Sequence, residues 1–243
     1  MTASGAASPV VLVTGAAGGL GRAVVARLRE RAMRVWATDL TLAEIPCGAP
    51  MGVSSLDVTD AAAIKDCVAR IVREWGRIDH VVHLAGRAGQ GPLDRVALEE
   101  WDALLAVNLT SAFLIAQATH AALASTRGSL VLTSSTNGLN GGSALSGPAY
   151  AVAKAGIINL ARFLARDWAS AGVRVNCIAP GPVDTVMLDR LGAAGRARLL
   201  KTIPLGRFSS AEQVAAQVAF LLSDDCAAVS GEVFNTSGAL VLD

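Results

Sequence analysis

The chain has 243 residues, long enough to bury a sizeable core as one α/β domain. Its 21 Lys and Arg balance 20 Asp and Glu with no block of either sign, which argues against nucleic acid or an anionic membrane as a partner. Hydrophobic residues make up 52% and aromatics only 4%, so Ala, Val and Leu must fill most of the interior, as expected where several strands are buried on both faces.

The N-terminal residues 1–8 are small and polar, lack a basic segment, and read as a loose tail. No run reaches the ~18 uninterrupted apolar residues of a membrane span. Residues 10–13 are a short β-branched apolar run and read as a buried strand. Residues 19–31 carry apolar positions at helical spacing (Leu20, Val24, Val25, Leu28). A second strand is expected over 34–38, a third over 51–56, and a helix from Thr59-Asp60 to Trp75. Residues 78–84 read as a fourth strand, 99–124 as one long helix, and 129–133 as a fifth strand. The Gly/Ser/Asn-rich stretch 134–148 reads as irregular. A helix over 149–169, a strand over 173–178 and a sharp break at Ala179-Pro-Gly-Pro182 follow. Residues 186–204 read as a substrate lid, helical over 186–201, with a helix over 211–223 and a last strand over 232–235. No linker or repeat divides the chain, and strands alternating with helices imply one domain built on a parallel sheet covered on both faces.

The cysteines Cys47, Cys67, Cys177 and Cys226 form no CxxC pair and read as reduced small hydrophobes, which favours a cytoplasmic location. His80, His83 and His120 show no metal-ligand spacing with acidic residues or cysteines, so no metal is expected. The four tryptophans read as packing residues.

Thr14-Gly15-Ala16-Ala17-Gly18-Gly19-Leu20-Gly21 lies between the first strand and the first helix. Glycines there let the backbone turn tightly and approach a pyrophosphate, while the helix N-terminus offers unpaired N–H groups. Asp39 ends the second strand, where a carboxylate accepts from the adenosine ribose hydroxyls and repels a 2′-phosphate. No Arg stands at position 18 or 40, so NAD is expected over NADP.

Tyr150 is the only tyrosine, and Lys154 follows it at i+4 on the same helix face. A free phenol titrates near ~10, and a fixed neighbouring cation lowers that value toward useful acid/base chemistry. Ser134-Ser135 closes the fifth strand, where open α/β sheets bind ligands. Ser143 and Ser146 are weaker alternatives in the loop.

These residues resemble the short-chain dehydrogenase/reductase family over nearly the whole chain. The family's TGxxxGxG matches Thr14 to Gly21, including Gly15, Gly18, Gly19, Leu20 and Gly21. Its acidic strand end matches Asp39, and its Asp-Val adenine contact matches Asp57-Val58. Its helix asparagine matches Asn108, its SxxG matches Ser135 and Gly138, and its YxxxK matches Tyr150 and Lys154. Its PGxxxT beside the nicotinamide matches Pro180-Gly181-Pro182-Val183-Asp184-Thr185. The family's Asn-Asn-Ala-Gly is His83-Leu84-Ala85-Gly86 here; Leu84 cannot make the usual asparagine's hydrogen bonds. The longer spacing from Ser135 to Tyr150 suggests a bulged loop over 140–146.

The resemblance implies a Rossmann-type doubly wound fold with a seven-stranded parallel sheet of order 3-2-1-4-5-6-7. It implies that Tyr150 exchanges the proton, Ser135 orients the substrate oxygen, Lys154 holds the nicotinamide ribose, and Asn108 positions a relay water. The expected activity is NAD(H)-dependent interconversion of a secondary alcohol and a ketone. A 3-oxoacyl thioester reductase and a sugar or polyol dehydrogenase are the alternative enzymes. Asp39 counts against the former, because biosynthetic reductases generally draw on NADPH. A nucleotide-sensing regulator is the non-enzymatic alternative, and the intact Tyr150 and Lys154 count against it. Ser135, Asn137, Leu145, Tyr150 and Met187 are the expected substrate contacts. The largely apolar loop and lid favour a neutral substrate, unless Arg190, Arg196 or Arg198 reaches in to hold an anion. Apolar residues on more than one face of 99–124 and 149–169 suggest a homo-oligomer, with a homotetramer expected.

Overall fold

The structure, a computed structural model, describes residues 8–45, 51–189 and 191–242, with Met187 described in its backbone alone. Most of the expected N-terminal tail, Cys47, Arg190 and the Met187 side chain therefore lie outside the described residues.

Seven strands form one parallel sheet: β1 Val10–Thr14, β2 Arg34–Asp39, β3 Met51–Ser55, β4 His80–His83, β5 Ser129–Thr133, β6 Arg174–Pro180 and β7 Val233–Thr236. Their order is β3-β2-β1-β4-β5-β6-β7, as the resemblance implied. β1 pairs with both β2 and β4, with Thr14 opposite Thr38 on one side and His83 on the other. The order reverses between β1 and β4, and ligands bind beyond the carboxyl ends of strands at such a switch point.

Alternation along β1 builds two cores from one strand. Val10 and Leu12 join the layer under the helices α2 (Ala61–Trp75), α4 (Ser111–Thr126) and α6 (Pro148–Asp167). Val11 and Val13 join the opposite layer, under α1 (Gly19–Glu30) and α9 (Ala211–Leu222). Every residue of β1 is fully buried. Such a side chain contributes about 1.5–3 kcal/mol, which explains why this strand reads as a continuous apolar run. Trp36 fills the first layer edge-on to Trp75, with ring centroids 5.0 Å apart, so the packing role expected for these two holds.

Three segments differ from the expected elements. The single helix over 99–124 is α3 (Leu98–Leu105), a π-turn over Ala106–Thr110, and α4. At the π-turn the Asn108 side-chain amide donates to the Leu104 carbonyl at 3.0 Å. That is the acceptor an α-helical N–H at 108 would use, so the ladder shifts and the helix widens there. The stretch 134–148 is not wholly irregular, because it contains α5 (Thr136–Asn140). Ser135 caps α5 at its N-terminus, and Gly141 closes it at φ 82°. The segment 186–201, expected as one helix, is two short helices, α7 (Val186–Asp189) and α8 (Gly192–Leu200). Gly192 takes φ 61°, which a continuous right-handed helix does not permit. Smaller shifts occur at β6, which runs through Pro180, and at α6, which begins with Pro148.

By length and composition Leu98–Thr126 could cross a membrane. It lies instead along the sheet, with Leu104, Ala112, Ile115 and Leu123 buried in the core.

Candidate active site

The site starts at Gly15, whose φ of 71° turns the chain out of β1. A Cβ there would stand 2.6 Å from the Ala85 backbone nitrogen, so only glycine lets the loop lie against the end of β4. A Cβ on Gly21 would stand 2.1 Å from the Gly15 carbonyl oxygen; its absence lets α1 rise directly behind the loop. Gly18 caps α1 without a side-chain hydrogen bond, and the first turn holds no acidic residue. The helix thus presents unpaired N–H groups and a positive dipole end, the requirement for a phosphate.

The loop forms one wall of a cleft of about 590 Å³. Every residue expected to touch the cofactor lines this cleft: the glycine loop, Asp39, Asp57-Val58, Ala85-Gly86, Tyr150, Lys154, and Pro180 to Thr185 at its expected positions. Ser135 lines it too. A Cβ on Gly19 would approach the Thr185 methyl at 3.0 Å, so the glycine loop and the segment after β6 meet where both line the cleft.

At the end of the cleft beside β2, Asp39 Oδ2 accepts from the Ala17 N–H at 2.9 Å and Oδ1 from the Leu40 N–H at 2.8 Å. These two bonds fix the carboxylate at the cleft edge. Asp57 Oδ1 accepts from both the N–H and the hydroxyl of Thr59, and the hydroxyl bond, followed by the N–H bond, holds its carboxyl below the usual range.

At the other end, Lys154 sits one turn after Tyr150 on α6, its Nζ 5.4 Å from the centre of the phenol ring. It is 3% exposed and donates to the Thr133 carbonyl at 2.8 Å. Burial pushes its pKa down to about 8, with Cys177 opposing slightly. Ser134 Oγ donates to the Lys154 carbonyl at 2.6 Å, tying β5 to α6. Gly138 explains its place three residues after Ser135: a Cβ there would stand 2.6 Å from the Lys154 carbonyl carbon. Ser135 Oγ accepts from the Asn137 N–H at 3.2 Å, which leaves its own proton to donate.

Asn108 lies beneath the cleft rather than on its wall, fully buried. Its amide donates to the carbonyls of Arg87 and Leu104, while its Oδ1 has no hydrogen-bond partner among the described residues. A Cβ on Gly86 would meet this Oδ1 at 2.5 Å and Lys154 Nζ at 3.4 Å, so the acceptor and the ammonium flank one spot. Buried acceptors are normally satisfied, and this one is placed to hold a polar ligand atom or a water.

Asn137 and Leu145, expected to touch substrate, do not line the cleft. Asn137 braces the loop by donating to Ser146 Oγ at 2.7 Å, and Leu145 is exposed. Conversely, Glu44 and Arg87 line the cleft without belonging to any motif; Arg87 is held by both oxygens of Glu100. Arg87 directly follows Ala85-Gly86, so its place beside that motif is the sequence signal for it. Glu44 carries no sequence signal beyond its nearness to Asp39.

His83 is buried and bonded at both ring nitrogens, to Thr14 Oγ1 at 2.7 Å and Ser111 Oγ at 3.0 Å. Ser111 gives its own proton to the Val107 carbonyl at 2.7 Å, so it must accept from His83 Nε2–H. Nδ1 then accepts from Thr14. Burial, and secondarily the charge of Lys154, pushes the His83 pKa down to about 3. Leu84 packs its side chain into the α1/α9 core instead. Among the described residues, no three His, Cys, Asp or Glu gather closely enough to hold a metal.

A glycine loop at a sheet switch point, facing a Tyr–Lys pair across one cleft, defines a Rossmann-type oxidoreductase that binds a nicotinamide cofactor. The chain belongs to the short-chain dehydrogenase/reductase family. Its residues 15–238 match the family model described as "Enoyl-(Acyl carrier protein) reductase". It is 36% identical over 242 residues to a 3-oxoacyl-[acyl-carrier-protein] reductase of Thermotoga maritima, covering 96% of this chain and 98% of that one. It is 34% identical over 238 residues to D-threitol dehydrogenase of Mycolicibacterium smegmatis, covering 91% and 88%. A short-chain dehydrogenase/reductase family oxidoreductase from Burkholderia thailandensis superposes with a TM-score of 0.87 at 33% identity, covering 97% of this chain and 94% of that one.

Proposed function

We propose that this enzyme interconverts a secondary alcohol and its ketone with NAD(H), using Tyr150 as the proton donor and acceptor. One observation carries the reading: Ser135, Tyr150 and Lys154 line the same cleft as the glycine loop and Asp39. The Gly15 and Gly21 cradle, which a Cβ would fill, and the uncapped start of α1 fit a dinucleotide, whose nicotinamide would supply or accept the hydride. Asp39 favours the unphosphorylated ribose. Ser135 donates its free proton to the substrate oxygen, while Tyr150 exchanges the reacting proton. Lys154 favours the phenolate and holds the ribose, and Asn108 Oδ1 positions a water for the relay.

The substrate is neutral or weakly polar. Arg196, in the segment 186–204 that acts as the lid, donates to Asp184 at 2.6 Å and pairs with Asp189 at 3.4 Å. Its guanidinium also lies 5.2 Å from the Phe208 ring centre, so it is committed away from substrate. The protein works in the cytoplasm as a homotetramer; Phe113 on α4 and Phe163 on α6 are exposed and suited to bury against further copies of the chain. A 3-oxoacyl thioester is the second substrate reading, favoured by the T. maritima relative, and a polyol the third, favoured by D-threitol dehydrogenase.

Absorbance of NADH across a panel of alcohols, polyols, ketones and 3-oxoacyl thioesters separates these readings. Turnover of simple alcohol–ketone pairs, abolished by Tyr150→Phe with NAD binding retained, supports the proposal. Turnover of thioesters alone, with NADPH, sinks it.

A further inference from the structure

Arg22, in the first turn of α1, donates from Nη1 to the Ala17 carbonyl at 2.7 Å. The N–H of that same Ala17 donates to Asp39 Oδ2. A guanidinium and the Asp39 carboxylate are therefore bonded to the two ends of one residue, Ala17, which lines the cleft together with Asp39. The same Nη1 is also paired with Glu44, whose side chain lines the cleft five residues beyond Asp39.

The geometry points to Glu44 as a second determinant of cofactor choice, acting by withholding Arg22 from a 2′-phosphate. This rests on the NAD(H) reading above and extends it from Asp39 to a pair of residues outside the family motifs. As a stabilising contact the pair counts for little, since its side chains are 37% and 69% exposed. Its consequence lies in which anion holds the cation. Arginine binds phosphate well because it offers a fixed fork of donors and a charge that is never lost. With Glu44 in place that charge is neutralised, and an incoming 2′-phosphate meets two carboxylates. Without Glu44, Arg22 remains anchored to the Ala17 carbonyl, with no other partner for its guanidinium among the described residues.

The test uses adenosine 2′,5′-bisphosphate and 5′-AMP, which differ only in the 2′-phosphate, so catalysis is not involved. Calorimetry gives the ratio of their dissociation constants for the native protein, Asp39→Ser, Asp39→Ser/Glu44→Gln, and the last variant with Arg22→Met added. Asp39→Ser/Glu44→Ala, made in parallel, carries the same expectation as the Gln variant. Removing Glu44 should shift the ratio about tenfold toward the bisphosphate relative to Asp39→Ser, more at low salt than at high. Adding Arg22→Met should cancel the shift. A shift below about twofold overturns the inference, and so does a shift that survives Arg22→Met, because repulsion by Glu44 alone would then explain it. Failure of the NAD(H) reading shows separately, as a native protein that binds the bisphosphate more tightly than 5′-AMP. In that case the change on removing Glu44 still decides the role of Glu44.

Discussion

Lys154 donates its ammonium to the Thr133 carbonyl at 2.8 Å, inside the protein at the carboxyl end of β5. The bond orients the side chain beneath the Tyr150 ring but does not offset the loss of water, and burial pushes the lysine pKa from 10.5 to about 8. Between those values the folded lysine is neutral while the unfolded chain still binds the proton. Stability from this group therefore rises with pH from about 8 upward. The cofactor-free protein should gain about 1 kcal/mol between pH 8 and pH 9 from Lys154. Urea denaturation of native protein and Lys154→Met at both values checks this. A variant with the native pH dependence would show that Lys154 keeps an ordinary affinity for its proton.

His83 couples β1 to α4 through Thr14 and Ser111, and it must be neutral to do so, since Nδ1 accepts. Its pKa lies near 3 when folded and 6.5 when unfolded, so acid favours the unfolded chain throughout that window. The contribution present above pH 6.5 falls by about 2 kcal/mol on going from pH 7 to pH 5. His80, pushed down to about 4, adds a similar slope, so the informative comparison is native against His83→Asn. Asparagine can still accept from Thr14 and donate to Ser111, but it does not titrate. The stability difference between the two proteins should shift by about 2 kcal/mol toward the variant at pH 5. Parallel curves from pH 7 to pH 5 would contradict the assigned tautomer and burial.

Gly138 lets α5 rest on the backbone of α6 beside Lys154, where a methyl group would stand 2.6 Å from the Lys154 carbonyl carbon. Gly138→Ala must push α5 away, and with it the Ser135 that caps it, while the glycine loop and Asp39 lie elsewhere in the cleft. The expected result is a loss of about 100-fold in kcat, the scale for a displacement near 1 Å, with NAD affinity nearly unchanged. Weakened NAD binding with unchanged kcat would place the effect of this contact at the cofactor instead of at Ser135.

Periodicity made the strands and motif spacing the cleft walls legible, because both depend on short-range sequence, whereas the strand order was implied only by the family resemblance. β1 reads as a buried strand from four consecutive apolar residues, and Gly15 reads as a turn from its place after them. What escaped depends on side chains that compete with the backbone. The Asn108 amide takes the Leu104 carbonyl and opens a π-turn within an apolar stretch that otherwise reads as one helix. Ser135 and Gly141 supply both ends of α5 within a segment whose composition suggests none. His83 shows only a lack of metal-ligand spacing in the sequence, and the structure buries it in the core. Its two partners come from residues 69 positions before it and 28 after it, beyond any local pattern. Asn137 fits a substrate contact by position, yet the Ser146 hydroxyl is close enough to claim it.

Arg196 bears on substrate charge. It is the lid arginine whose partners are defined: Asp184 follows β6, Asp189 lies in α7, and the Phe208 ring sits beside the guanidinium. Recruiting it to a carboxylate would require breaking both ion pairs, and the carboxylate would then face Asp184 and Asp189 at close range. Each exposed pair is weak by itself, but the two carboxylates keep an anion from gaining the arginine's full charge. The native enzyme should therefore favour a ketone over its carboxylated analogue by about tenfold or more in kcat/KM. Arg196→Leu should leave that ratio within about twofold while loosening the lid, seen as a higher KM for both compounds. Kinetics on the matched pair with both proteins provides the measurement. A native preference for the carboxylate that disappears with Arg196→Leu would reverse the assignment and make this arginine the anion site.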